Sequence, residues 1–184
     1  MNATLAKRAL GAMFFSGFGA AWLVLWSRRA LHGQWWPIAA IVAAGLALCL
    51  GCWRIYRANR AALETEAGTP AEKRRSRAFN VINIVQWVAI LVGCNVLANI
   101  GLLAWTIPLA VCIVGLHFLP LARLFSYRPH YVTGLALVLL SVLVPVLAGA
   151  PDTPVVCLGA GLVLWASALW AVSYGAARQP VADI

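Results

Sequence analysis

The sequence predicts an all-α integral membrane protein, a compact six-transmembrane-helix bundle with both termini in the cytoplasm. Three observations predict it. The first is composition: 63% of the residues are apolar and 10% are charged, with a mean hydropathy of +0.87. Soluble domains usually carry about 25% charged and about 45–50% apolar residues. The second is that the apolar residues gather into six runs, each close to the roughly 20 residues a helix needs to cross about 30 Å of hydrocarbon. The third is that the basic residues concentrate on one side of those runs. No water-soluble fold of 184 residues could bury so much apolar surface. The same composition excludes disorder, collagen, a coiled coil and a disulfide-stapled secreted domain.

The first span covers about Leu10 to Trp26. Lys7 and Arg8 precede it, as in a signal peptide. The run is nevertheless longer than an h-region of about 7–15 residues, no convincing cleavage site follows, and Arg28-Arg29 come next. It is read as a retained span. The second runs from about Trp36 to Tyr56, the third from Phe79 to Ala98, and the fourth from Trp105 to Phe125. The fifth covers about Tyr131 to Ala148, and the sixth Pro154 to Tyr174. In each, apolar residues go all the way round the helix, which suits lipid better than the alternation of a membrane strand. One transmembrane domain over residues 1–184 is expected.

Orientation follows from lysine and arginine. With the N-terminus inside, Lys7, Arg8, Arg54, Arg57, Arg60, Lys73, Arg74, Arg75, Arg77, Arg123, Arg128 and Arg178 all fall on the cytoplasmic side. Of the 14 basic residues, Arg28 and Arg29 alone remain outside. The positive-inside rule then sets both termini in the cytoplasm. All 4 tyrosines, Tyr56, Tyr127, Tyr131 and Tyr174, sit at cytoplasmic ends, and Trp26, Trp35, Trp36 and Trp105 at outer ends, as interfacial rings prefer. The net charge of +9 is thus explained by topology, and nucleic acid is not an expected partner. The same residues can attract anionic headgroups.

The one substantial loop runs from Ala58 to Arg77. Within it, Thr69-Pro70-Ala71-Glu72 reads as a capping box with proline at the first helical position, so the third helix should begin near Pro70 and protrude. Thr153-Pro154 is a similar start. Pro37 precedes Tyr56-Arg57 at nearly the spacing by which Pro108 precedes Tyr127-Arg128 and Pro154 precedes Tyr174. Three duplicated hairpins would give this pattern, as would ordinary outside-to-inside helices. Ala12, Ser16 and Ala20 in the first span, and Ala39, Ala43, Ala47 and Gly51 in the second, recur every four residues. Small residues at that spacing let helices pack closely in lipid, within the chain or in a homo-oligomer.

Polar side chains inside a membrane are costly, so they are the default functional candidates. The third span holds Asn80, Asn83, Gln86, Asn95 and Asn99. Asn80, Asn83 and Gln86 fall within an arc of about 120°. His117, in the fourth span, is the one deeply placed ionisable residue. It lies about 12 residues, or roughly 18 Å, from the outer end of its helix, at the level of Gln86. Pro120 frees the carbonyl of Leu116 one turn away. Arg123 can reach toward the same region or extend to headgroups. The expected ligand-binding set is therefore Asn80, Asn83, Gln86, His117 and Arg123, with interhelical hydrogen bonding as the alternative role.

The 5 acidic residues, Glu64, Glu66, Glu72, Asp152 and Asp183, all lie outside the spans. Cation-coupled carriers usually use an intramembrane carboxylate, so a neutral or anionic solute fits better. Cys49 and Cys52 have ligand-like spacing without a second pair, and read as packing rather than as a redox dithiol. Cys94, Cys112 and Cys157 read as small apolar fillers. His32, His117 and His130 are expected at different depths, so neither metal nor haem is expected, and no cofactor is. No G-x-S-x-G, H-E-x-x-H or phosphate-loop motif occurs.

Three functional readings follow, in order. The first is a small transporter or channel-like protein for a neutral or anionic solute. The second is a non-catalytic membrane subunit that docks a partner through the 58–77 loop. An intramembrane enzyme acting on lipid, with His117 as base, ranks last for want of a nucleophile. The expected location is a bacterial inner membrane or plasma membrane.

Overall fold

The computed structural model describes the backbone of residues 2–64 and 69–176 and the side chains of residues 2–63 and 69–173. Glu66, Arg178, Asp183 and the side chains of Glu64 and Tyr174 lie outside the described residues. The described elements are helical: α1 (Ala3–Ala30), α2 (Trp35–Asn59), α3 (Ala61–Glu64), α4 (Pro70–Asn99), α5 (Thr106–Leu124), α6 (Pro129–Ala148) and α7 (Val155–Ala176). A 3-10 turn at Leu103–Trp105 leads into α5. Six of these helices are long and apolar enough to cross a membrane, and they correspond to the six spans in order.

The helices outrun the apolar runs because backbone hydrogen bonding continues into the polar flanks wherever a cap supports it. α1 starts at Ala3 rather than near Leu10, with Asn2 Oδ1 accepting from the Leu5 N–H at 3.2 Å. The Asn2 N–H in turn donates to Asn59 Oδ1 at 2.9 Å, fastening the start of α1 to the end of α2. α4 starts at Pro70, where Thr69 Oγ1 accepts from the Glu72 N–H at 3.2 Å. Ala58–Arg77 is consequently helical for most of its length rather than an open loop. Gly149, at φ +61°, closes α6 in the left-handed conformation that glycine adopts without penalty.

Two compact units divide the chain, and the division falls within α7: Met1–Ala67 with Leu164–Ile184, and Gly68–Val163. In the first unit α1 turns Ala9, Ala12, Ser16, Gly19 and Leu23 inward. Gly45 of α2 comes so close that a Cβ there would stand 2.8 Å from that of Ala20. Trp165 Nε1 donates to the Ser16 carbonyl at 3.0 Å. Ala12, Cys52, Ala168 and Ala171 form the core of this unit.

The small residues of α1 pack within the chain, but those expected to do so in α2 do not. Ala39, Ala43, Ala47 and Gly51 are exposed, and Gly45 with Cys52 face the core instead. α2 carries two rows of small residues, and a helix apolar all round offers no polar face to say which row turns inward.

In the second unit, α5 and α6 meet at Gly115 and Gly134, α4 lies along α5, and Leu140 of α6 packs over Gly159 at the start of α7. A Cβ at Gly93 of α4 would stand 2.7 Å from Leu109 Cδ2 of α5. The rings of Phe79 and Phe125 pair edge-on at 5.9 Å near the other end. None of the 30 residues of α4 is buried.

Candidate functional site

The site is built on α5 of the second unit, which packs against α4 and against α6. The Gly93–Leu109 and Phe79–Phe125 approaches set α4 and α5 antiparallel. That register brings His117 to α4 between them, where the imidazole approaches the backbone of Ile82. Asn83 and Gln86, half-buried, flank Ile82 on the same side of α4. The side-chain amide of Asn83 donates to the Phe79 carbonyl of its own helix at 3.0 Å, which leaves its oxygen for other partners. His117 is itself half-buried, and its Nδ1 is buried without a hydrogen-bond partner.

Two members of the expected set stand apart from this group. Asn80 is exposed on α4, and Arg123 is exposed in the last turn of α5. On a helical wheel Asn80 is about 120° from Gln86, enough to turn it off the face that meets α5. Arg123 supplies positive charge at the end of the helix rather than a contact to His117. α5 continues through Pro120 to Leu124.

His130 adjoins the group through Phe118. α6 begins at Pro129, so His130 stands in its first turn, against the last two turns of α5. Phe118 packs against both imidazoles, 5.7 Å from His117 and 5.5 Å from His130. The Tyr127 ring stands edge-on to His130 at 4.8 Å. The signal that could have found His130 is the short turn between α5 and α6. That turn folds the start of α6 back along the last two turns of α5, which sets His130 beside Phe118.

Comparison with protein-family models, curated proteins and solved structures returns no match. The chemistry of the site must therefore be argued from its own residues. Its polar atoms are imidazole nitrogens, carboxamides and backbone carbonyls, with no carboxylate among them. Neutral imidazoles and carboxamides both donate and accept. Such a set can orient a neutral polar solute or hydrogen-bond an anion. Among the described residues no group of three or more His, Cys, Asp or Glu could hold a metal ion. Cys49 and Cys52 are free thiols, Cys52 buried in the core of the first unit and Cys49 half-buried.

Proposed function

We propose that this chain is a small multi-pass transporter or channel-like protein for a neutral or anionic small solute. Its site lies between α4 and α5, where Asn83 and Gln86 orient the ligand and His117 donates a hydrogen bond or proton. Arg123 adds positive potential, and Asn80 lines the approach. We place the protein in a bacterial inner membrane or plasma membrane with both termini cytoplasmic, on the distribution of lysine and arginine. The observation that carries the reading is the buried Nδ1 of His117. A buried polar atom without a partner is uncommon, because it forgoes a hydrogen bond that water would supply. Here the atom lies in a chain with six membrane-length helices, on a helix packed against the one that carries Asn83 and Gln86.

The test is a thermal-shift screen of the purified protein in detergent against anions, nucleosides, amino acids and vitamins, followed by flux in proteoliposomes. A ligand at about 100 times its Kd adds about 2.7 kcal/mol of stability. Hits and flux should be lost in both His117→Ala and Gln86→Ala. Unchanged binding and flux in the two variants would end the proposal.

A second reading has one observation in its favour. α4 is 30 residues long and buries none of them, as a helix would if a partner subunit covered it. In that reading the protein is the membrane subunit of a larger complex, docking through residues 58–77 at the foot of α4. Deletion of that segment should then abolish partner co-purification, and unchanged co-purification would count against it.

A further inference from the structure

The first unit carries a groove that the solute site does not involve. It runs along the outer face of α1, with Leu10, Phe14, Gly17, Phe18 and Ala21 as floor and rims and Cys49 of α2 as one wall. Its cavity volume is 410 Å³, within the range of about 300–1,000 Å³ typical of small-molecule sites. Phe14 and Phe18 stand 57% and 50% exposed. Gly17 makes the notch between them, since a Cβ there would meet nothing within 4 Å. Among the described residues none fills that notch, although alanine would serve the helix better.

Length and charge identify the occupant. From Leu10 to Ala21 the groove spans about 16 Å of helix. That is about half of a 30 Å hydrocarbon core, the depth of one leaflet. Beyond its Leu10 end the chemistry changes from apolar to cationic. Lys7 lies one turn further along the same face of α1. On α2 the row that begins with Cys49 continues through Trp53 to Arg57, whose guanidinium stacks over the Trp53 ring at 4.7 Å. The Asn2–Asn59 hydrogen bond and the approach of Gly45 to Ala20 fix the register of the two helices. That register brings Arg57 to the level of Lys7. An apolar trough one leaflet long, ending in two positive charges, has the layout of a phospholipid. A zwitterionic headgroup would place its own cation near these two, whereas an acidic one would not.

We infer that this groove binds an acidic phospholipid, one acyl chain lying over Gly17 between Phe14 and Phe18 and the phosphate meeting Lys7 and Arg57. The site is independent of the His117 group and of any solute the protein carries.

Native mass spectrometry of delipidated protein, re-equilibrated with equal amounts of dioleoylphosphatidylglycerol and dioleoylphosphatidylcholine, tests the inference. Wild-type protein should retain one phosphatidylglycerol in preference to phosphatidylcholine. Gly17→Leu fills the notch from a Cβ position that meets nothing within 4 Å, and should lower retention at least tenfold. Gly11→Leu, also on α1 and equally unobstructed but outside the groove, is the control and should retain lipid as wild type does. Lys7→Gln combined with Arg57→Gln should erase the preference for the acidic lipid. Equal retention of the two lipids by wild type, or full retention by Gly17→Leu, would overturn the inference. So would a preference that survives loss of both charges.

Discussion

Gly115 of α5 and Gly134 of α6 each occupy the space that the other's side chain would need. A Cβ on Gly115 would stand 2.8 Å from the Gly134 carbonyl oxygen, and one on Gly134 would stand 2.7 Å from that of Gly115. Backbone thus packs on backbone at this crossing, which small residues allow between helices in lipid. Neither carbonyl can move aside without disturbing its own helix. Gly115→Ala and Gly134→Ala should each therefore cost about 1–3 kcal/mol, as overpacked cores do. Gly51→Ala is the contrast: its Cβ would meet nothing within 4 Å, and alanine there should add up to about 1 kcal/mol. Thermal unfolding in detergent separates the two cases. A Gly134→Ala protein as stable as wild type would contradict the crossing.

Trp165 holds α7 to α1 through one hydrogen bond, from its indole N–H to the Ser16 carbonyl at 3.0 Å, and its ring lies against Gly45. Trp165→Phe keeps most of the ring and loses the donor, so it should cost about 0.5–1.5 kcal/mol. Trp165→Ala also opens a cavity and should cost about 3–5 kcal/mol. Unfolding by titration with denaturing detergent reads both. Equal losses would mean that the ring's packing contributes nothing beyond the hydrogen bond.

The number, order and approximate position of the six membrane-length helices were legible because long apolar runs report them directly. The start of α4 was legible because Thr69, Pro70 and Glu72 form a local signal that tertiary contacts need not complete. The inward faces were not. α2 offered the row Ala39, Ala43, Ala47 and Gly51, yet Gly45 and Cys52 face the core. In lipid the apolar pattern that orients a soluble helix is missing. At the candidate site, the pairing of His117 with the α4 level of Gln86 followed from helical rise. Asn80 lies off the face that meets α5 because the arc of polar residues is broad, and the approach of His130 to Phe118 was not legible because the fifth span was read from about Tyr131, whereas α6 starts at Pro129.

Asn59 is buried at the end of α2, donating to the Ile55 carbonyl at 3.0 Å and accepting from the Asn2 N–H at 2.9 Å. Asn2 in turn caps α1 through Leu5. Loss of the Asn59 acceptor should loosen the first turn of α1 without unfolding the hairpin. Asn59→Ala should thus speed amide exchange at Asn2 and Leu5 several-fold, and cost about 1 kcal/mol. Amides further along α1, such as that of Leu23, should exchange at the wild-type rate. Uniformly faster exchange along α1 would instead make Asn59 a residue on which the whole hairpin depends.

His117 offers the sharpest separation of structure from function. Its Nδ1 is buried without a hydrogen-bond partner, and its ring lies edge-on to Phe118. Removing an unsatisfied polar atom while keeping a ring of similar shape can be neutral or stabilising. His117→Phe should accordingly leave the unfolding temperature unchanged or raise it, whereas His117→Ala opens a cavity and lowers it. Both variants should lose the ligand response together, because neither supplies a nitrogen. If His117→Phe is instead less stable by more than about 1 kcal/mol, the imidazole is held by hydrogen bonds within the bundle. The group around it would then be structural, and the solute site would have to be sought elsewhere in the chain.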